Sequence, residues 1–135
     1  MQNPFQNAMS QLDKVVQISK TKNFSDEFIA RLRQPDRDMR ISIPVKMDDG
    51  SLRIFEGYRV EYNNTLGPYK GGIRYHHDTE INEVKALAFW MMLKCAVAGI
   101  PMGGGKGGIT VNPKELSKGE LERLSRGWVQ KLSDI

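Results

Sequence analysis

Apolar and polar residues first follow a helical period along the chain. Apolar side chains recur every three or four positions over about residues 5–19, which predicts an amphipathic helix. A second helix is predicted to start at Ser25, because serine is a favoured N-cap and two acidic residues follow it, and to end at Pro35. Residues 1–38 are therefore predicted to form an N-terminal helical segment.

The period then changes to two, which is typical of β-strands. Apolar and polar residues alternate over residues 39–47 and again over residues 52–62, with Asp-Asp-Gly at 48–50 as the turn of a hairpin. Pro44 has no backbone N–H to donate, so the first strand is predicted to lie at a sheet edge or to carry a bulge. The apolar face of such a hairpin requires helices or another subunit against it.

A long helix is predicted in the second half of the chain. Thr79 is its predicted N-cap, and it extends to about Ala98, where Gly99 and Pro101 end it. Residues 86–98 are apolar on almost every side, which predicts that this part of the helix is buried.

Shorter elements surround this helix. Strands are predicted over residues 73–75 and 109–111, and the glycine run 103–108 is predicted to be a loop. Ser117 and Glu120 form a capping box at the start of the last helix. That helix shows no stop signal before Ile135, so we expect the polypeptide to continue.

Composition narrows the class of protein. The 135 residues are 39% hydrophobic and 27% charged, which fits one globular domain with a core. The net charge of +4 is not concentrated in one run, so it favours an anionic partner only weakly and predicts no nucleic-acid partner. The single cysteine, Cys95, excludes an internal disulfide and fits a reducing compartment. Without a membrane-spanning stretch or a signal peptide, we predict a cytoplasmic protein.

Several sequence motifs can be set aside because their context is wrong. Residues 103–108, Gly-Gly-Gly-Lys-Gly-Gly, match G-x-G-x-x-G, but a dinucleotide fingerprint follows a strand and opens a helix, and here the order is reversed. A P-loop would need other residues at Ile100 and Gly107, and a nucleic-acid-clamping GxxG loop joins two helices. His76 and His77 would point to opposite faces of a strand, so we predict surface histidines and no metal site.

Three lysines remain as candidates for binding an anion. Lys70 precedes a glycine pair, Lys106 lies inside the glycine run, and Lys94 shares a face of the predicted buried helix with Met91. A buried lysine is neutral or paired with an anion, and no acidic residue lies near Lys94 in sequence, so a bound carboxylate is one natural partner. A salt bridge from Lys94 to a distant acid and a plain loop position for Lys70 remain open. If the three lysines converge in the fold, they would define a pocket for a small dianion.

The residues around these lysines resemble a known family. The segments GPYKGGIRYHHD, MMLKCAVAGIP and PMGGGKGGITVNP are similar to the N-terminal substrate domain of glutamate dehydrogenase, and the likeness extends from about Arg40 to the end. It implies an α/β fold, with a mixed sheet and packed helices, for a dimerisation and substrate-binding domain at residues 39–135. The family's nucleotide-binding Rossmann domain is expected to be absent from this chain.

The resemblance also implies roles for individual residues. Lys106 would be the catalytic lysine, which helps to activate the water that attacks the imine carbon. Lys94 would bind the α-carboxylate of glutamate or 2-oxoglutarate, Lys70 would bind the γ-carboxylate, and Met91 would line the substrate site. Leucine and phenylalanine dehydrogenases carry a small residue at the position of Lys70, because an apolar substrate side chain needs no buried cation.

The expected function follows from these roles. The resemblance implies an oxidoreductase that deaminates L-glutamate to 2-oxoglutarate and ammonium, with NAD or NADP bound outside this chain, in a homohexamer. The family's catalytic aspartate would lie beyond Ile135, so the chain alone is expected to be inactive. Two alternatives remain: a dehydrogenase for leucine, phenylalanine or valine, and a non-catalytic oligomerisation module that uses the edge strand of the hairpin.

Overall fold

The computed structural model describes residues 3–19 and 24–133. The chain forms four α-helices, five β-strands and one short 3-10 turn within these ranges. In chain order they are α1 (Pro4–Ile18), α2 (Asp26–Leu32), β1 (Arg37–Lys46), β2 (Leu52–Asn63), β3 (Tyr69–Lys70), β4 (Ile73–His76), α3 (Ile81–Val97), β5 (Gly103–Thr110), the 3-10 turn (Pro113–Glu115) and α4 (Lys118–Leu132).

The helix starts follow the capping chemistry of the sequence, with one exception. The Ser25 hydroxyl accepts from the N–H of Phe28 at 3.2 Å, and the capping box at the start of α4 is present. The N-cap of α3 is Glu80 and not Thr79, because the Glu80 carboxylate accepts from two backbone N–H groups of the first turn. The prediction for Thr79 was therefore wrong by one residue, because the side chain of a glutamate replaced the hydroxyl as the capping acceptor.

The strands of the described residues form one mixed sheet. Its order is β1-β2-β5-β3, and β4 also pairs with β5. The first two pairings are antiparallel, and both pairings of β5 with the short strands are parallel. β1 lies at an edge of this sheet, which confirms the position predicted from Pro44. The predicted mixed sheet with packed helices is thus confirmed.

The glycine run is the central strand of the sheet and not a loop. Gly107 lies under α4, where an added Cβ would be 2.6 Å from Trp128, and Gly104 lies under α3, where an added Cβ would collide with Met92. Both helices therefore pack on bare backbone. Glycine is unfavourable in strands unless another part of the chain approaches closely. The sequence pattern did not reveal that α3 and α4 approach this strand.

Each face of the sheet has its own apolar core. On one face, Val60 and Tyr62 of β2 pack with Phe89 of α3 and with residues of α1. On the other face, Ile43 and Ile109 pack with α4. Burying a large apolar side chain stabilises a fold by about 1.5–3 kcal/mol, so the two cores fix both helices on the sheet. No helix in the described ranges has the length and apolar character needed to cross a membrane.

A polar clasp joins the tip of the β1–β2 hairpin to the start of α4. Asp48 accepts hydrogen bonds from the Ser117 hydroxyl at 2.6 Å and from Arg123 at 2.5 Å, while the Glu120 carboxylate accepts from the N–H of Asp48 at 3.0 Å. The bonds from Ser117 and then Arg123 hold the pKa of Asp48 below its usual 3.8. The ionised carboxylate is therefore the form that the fold favours.

We expect the Asp48→Asn substitution to lower stability at neutral pH but not in acid. A carboxyl with a lowered folded pKa stabilises the fold above its unfolded pKa, and this contribution is lost as the pH falls through the folded value. Urea unfolding from pH 7 down to pH 2 should show the gap between the two proteins closing at the acid end. Glu122→Gln is the matched control, because the one ion pair of Glu122 among residues 3–19 and 24–133 is with the exposed Arg126 one turn away. A pH-independent gap would contradict this interpretation.

A lysine-bearing sheet face as the candidate active site

Lys70 and Lys106 lie on the same face of the sheet. Lys70 pairs with Gly104 in the parallel β3–β5 ladder, and Lys106 lies two residues further along β5. Side chains two residues apart on a strand share a face, and paired residues do as well. That face is the one covered by α3, because Gly104 packs against Met92.

Glycines allow the segment that carries Lys70 to lie directly on its neighbours. An added Cβ at Gly71 would overlap the carbonyl of Gly105, and Gly67 (φ +143°) lies in the same way against the carbonyl of Pro101. The N–H of Gly107 donates to the carbonyl of Gly72 at 2.9 Å. These contacts bring the Lys106 Nζ to 3.8 Å from the point that a Cβ of Gly72 would occupy. The segment after Lys70 and the Lys106 ammonium are therefore neighbours.

Lys94 and Met91 lie on the second half of α3. Met91 is half-buried and directly precedes Met92, which packs against Gly104. Lys94 is exposed, so the expectation that it is buried was wrong. The physical reason is that the sheet and α1 cover only two sides of α3: Val97, one turn beyond Leu93, is 90% exposed. A helix that is apolar on every side can be buried all round. The sequence does not show which sides of the helix other parts of this chain cover.

The three candidate lysines have no carboxylate partner within the described residues. None of them lies within 4.0 Å of an acidic oxygen there, whereas Lys85 of the same helix α3 pairs with Asp38 at 2.5 Å. A salt bridge from Lys94 to an acid elsewhere in the described ranges is therefore ruled out. The positive charge of these lysines is available to an anion from outside.

Two polar residues that the sequence interpretation missed lie behind Lys70. Tyr69 donates a hydrogen bond from Oη to Asp36 at 2.9 Å, and Asp36 pairs with Arg31 at 2.7 Å. Burial, and then the hydrogen bond to Asp36, raise the pKa of the Tyr69 hydroxyl. No local motif signals this contact, because Asp36 and Tyr69 are 33 positions apart in the chain.

The two histidines do not point to opposite faces as expected. Their rings stack with centroids 4.3 Å apart, because His76 ends β4 and His77 lies in the turn that follows. With Asp78 they offer three donor atoms within 4.8 Å of one another. His77 and Asp78 are exposed and interact with each other, so the absence of a functional metal site stays a prediction.

The glycine run does not fit a dinucleotide. It is itself a strand with neighbours on both edges, and the chain continues from it into a 3-10 turn and not directly into a helix. A pyrophosphate site needs a glycine turn between a strand and the N-terminus of a helix. Residues 103–108 therefore pack under α3 and α4 and do not form the glycine turn of a dinucleotide fingerprint.

Comparison with known proteins decides the family. The sequence profile of the family described as "Glu/Leu/Phe/Val dehydrogenase, dimerisation domain" matches residues 35–135. The chain belongs to this dehydrogenase family. The matched region includes the whole sheet and all three candidate lysines.

Within this family the chain is similar to glutamate dehydrogenases. It is 53% identical over 131 residues to the NADP-specific glutamate dehydrogenase of Synechocystis sp., and 59% identical over 98 residues to the NAD-specific glutamate dehydrogenase of Clostridioides difficile. The hetero-hexameric glutamate dehydrogenase of Thermus thermophilus, in its leucine-bound form, superimposes with a TM-score of 0.90 at 40% identity, over 96% of this chain and 30% of that chain.

The similarity covers nearly all of this chain but a minor part of its relatives. The alignment with the Synechocystis protein includes 97% of this chain and 30% of that protein, and the alignment with the C. difficile protein includes 73% and 23%. This chain therefore corresponds to the dimerisation domain of the dehydrogenase family, and the comparisons bear on that domain.

Proposed function

We propose that this chain is the substrate-binding part of an NAD(P)-dependent glutamate dehydrogenase. The complete enzyme would convert L-glutamate, water and NAD(P)+ to 2-oxoglutarate, ammonium, NAD(P)H and a proton, and would act in the cytoplasm. NAD or NADP supplies the hydride acceptor, and the residues that hold it lie outside this chain. The relatives include both an NADP-specific and an NAD-specific enzyme, so either cofactor is consistent with the family.

The observation that carries this proposal is the set of unpaired lysines beside the C-terminal half of α3. Lys70 and Lys106 share the sheet face that α3 covers, Lys94 is exposed on that helix one turn after the half-buried Met91, and none of the three has a carboxylate partner in the described ranges. Glutamate and 2-oxoglutarate each carry two carboxylates. Charge-assisted hydrogen bonds from ammonium groups are among the strongest polar contacts in proteins.

Each candidate residue has one role in this proposal. Lys94 binds the α-carboxylate and Lys70 binds the γ-carboxylate, which together orient the α-carbon. Met91 contacts the methylene groups of the substrate. Lys106 stays close to the α-carbon, where its ammonium–amine couple moves a proton to and from the water that adds to the imine carbon. The two carboxylate contacts position the substrate, and the third lysine performs the chemistry.

A steady-state assay of the full-length protein tests the proposal. By full-length protein we mean the complete product of the reading frame that encodes this chain. We expect NAD(P)H formation with L-glutamate and much less with leucine, phenylalanine or valine. The 135-residue chain alone should form none, because we assign the residues that hold NAD(P) to the part of the full-length protein outside it. A preference for an apolar amino acid would contradict the glutamate assignment, and reduction of the cofactor by the isolated chain would contradict the division of roles.

Lys70 is expected to set the preference for an acidic substrate. In the full-length protein, Lys70→Leu should raise KM for glutamate on the order of a hundredfold, because the distal carboxylate of the substrate loses its charged partner. Activity toward leucine should rise relative to glutamate. Lys114→Leu is the control, since Lys114 is an exposed lysine on the 3-10 turn. Unchanged kinetics for both amino acids would remove Lys70 from the substrate site.

A non-catalytic assembly module is the second candidate. The outer edge of β1 has no partner strand within the described residues, and Leu52 and Ile54 of the neighbouring strand are 67% and 66% exposed. An unpaired edge beside exposed apolar side chains favours association of subunits. We propose a homohexamer for the full-length protein; the hetero-hexameric relative from Thermus thermophilus supports the number of subunits and not their identity. A hexamer that shows no dehydrogenase activity in the assay above would support the assembly module and not the enzyme.

A further inference from the structure

The strand that carries Lys70 is too short to fix the lysine by itself. β3 has two residues, Tyr69 and Lys70, and each pairs only with β5 on one side. On its N-terminal side the carbonyl of Pro68 accepts from the N–H of Gly103 at 2.9 Å. Two ladder residues give little resistance to twisting or sliding of a strand. On its C-terminal side the carbonyl of Gly72 accepts from the N–H of Gly107 at 2.9 Å, so backbone contacts flank the strand, and a side-chain contact would fix the lysine further.

The side chain of Tyr69 supplies that contact from the opposite face of the sheet. Consecutive side chains on a strand alternate, so Tyr69 points away from the face that carries Lys70. Its Cβ lies against the backbone of Gly105, because a Cβ added at Gly105 would be 3.3 Å from it. Its hydroxyl donates to Asp36 at 2.9 Å. Both ends of the Tyr69 side chain are therefore held.

Asp36 is itself firmly anchored. Its N–H donates to the carbonyl of Tyr62 at 3.0 Å, which ties it to the end of β2. Its second carboxylate oxygen pairs with Arg31 at 2.7 Å, and its side chain is only 14% exposed. The Tyr62 hydroxyl in turn donates to the carbonyl of Leu32 at 2.9 Å, so the same segment is joined to α2. Asp36 is a fixed point relative to the sheet.

From this chain of contacts we infer that Asp36 and Tyr69 are positioning residues for Lys70. They act from behind the sheet: the Tyr69 hydroxyl, held by Asp36, fixes the backbone of β3 so that the Lys70 ammonium meets the distal carboxylate of the substrate. Neither residue touches the substrate. This inference rests on the proposed role of Lys70 and adds to it the two residues that set its place.

Tyr69→Phe in the full-length protein tests the inference, because it removes one hydroxyl and leaves the ring. We expect KM for glutamate to rise about tenfold, with kcat and KM for NAD(P)+ nearly unchanged, since one hydrogen bond to a charged group is lost. Asp36→Asn keeps an oxygen that accepts from Tyr69 and should raise KM less than Asp36→Ala. Tyr75→Phe is the matched control, because it removes a hydroxyl bonded to Ser125 at 2.7 Å and should leave KM unchanged.

A double-mutant cycle separates positioning through Lys70 from a general loss of stability. In a Lys70→Leu background, Tyr69→Phe should raise KM no further, because the group that it positions is gone. An equal rise in both backgrounds, an equal rise with Tyr75→Phe, or no rise at all would overturn the inference. If Lys70→Leu alone leaves KM unchanged, the proposed role of Lys70 fails as well. If Lys70→Leu has its full effect and Tyr69→Phe has none, only the inference fails.

Discussion

Replacing Lys106 with methionine in the full-length protein is expected to lower kcat for glutamate about a thousandfold, the size of a lost general acid–base group. Lys106 has only glycines beside it in β5, so no neighbour in the strand can take over proton transfer. Methionine keeps an unbranched apolar stem and removes the ammonium group. Because Lys106 has no salt bridge within the described ranges, the melting temperature should hardly change.

The comparison for this result is Lys114→Met, which removes an exposed lysine at the 3-10 turn after β5. Its kcat should equal that of the wild type. KM for glutamate in the Lys106 variant should change far less than kcat, because the two carboxylates are assigned to Lys70 and Lys94. A Lys106→Met enzyme that keeps more than a tenth of the wild-type kcat would refute the catalytic assignment.

Gly71→Ala is expected to lower the free energy of unfolding by about 3 kcal/mol or more, at the upper end of overpacking effects. An added Cβ would lie 2.5 Å from the carbonyl carbon of Gly105 and would overlap its oxygen. Backbone atoms of the central strand cannot turn aside as a side chain does. The segment after β3 would have to lift from β5, which also breaks the hydrogen bond from Gly107 to Gly72.

The adjacent glycine is the control for that substitution. An added Cβ at Gly72 would have no neighbour nearer than the Lys106 Nζ at 3.8 Å, which is ordinary contact. Gly72→Ala should therefore change the free energy of unfolding by no more than about 0.5 kcal/mol. Urea unfolding of both variants decides the matter. If both variants lose the same free energy of unfolding, backbone flexibility at Gly71 and Gly72 would explain the two glycines, and close packing of Gly71 would not.

Much of the secondary structure could be predicted from local patterns. The period-two alternation over residues 39–47 and 52–62 predicted β1 and β2, and Pro44 predicted the sheet edge. These features depend on neighbouring residues in the chain, where propensity and alternation act directly. Ser25 and the capping box at 117–120 were predictable for the same reason.

The errors arose where contacts between distant segments decide the outcome. The glycine run became a strand because Met92 and Trp128 press on it from two sides, which no local pattern reports. Lys94 proved exposed because the packing of α3 leaves one side of the helix open. Tyr69 meets Asp36 across 33 positions of sequence. The three candidate lysines were identified by residue type, whereas the sheet face shared by Lys70 and Lys106 became visible only through the ladder register of β3 and β5.

The central claim is that the lysine-bearing face of this domain binds a dicarboxylate. A crystal structure of the full-length protein with 2-oxoglutarate tests it most directly. We expect the Lys70 Nζ within about 3 Å of the distal carboxylate, the Lys94 Nζ at a similar distance from the α-carboxylate, and the Lys106 Nζ facing the keto carbon. A ligand bound elsewhere, or bound at this face with neither carboxylate near Lys70 or Lys94, would contradict it.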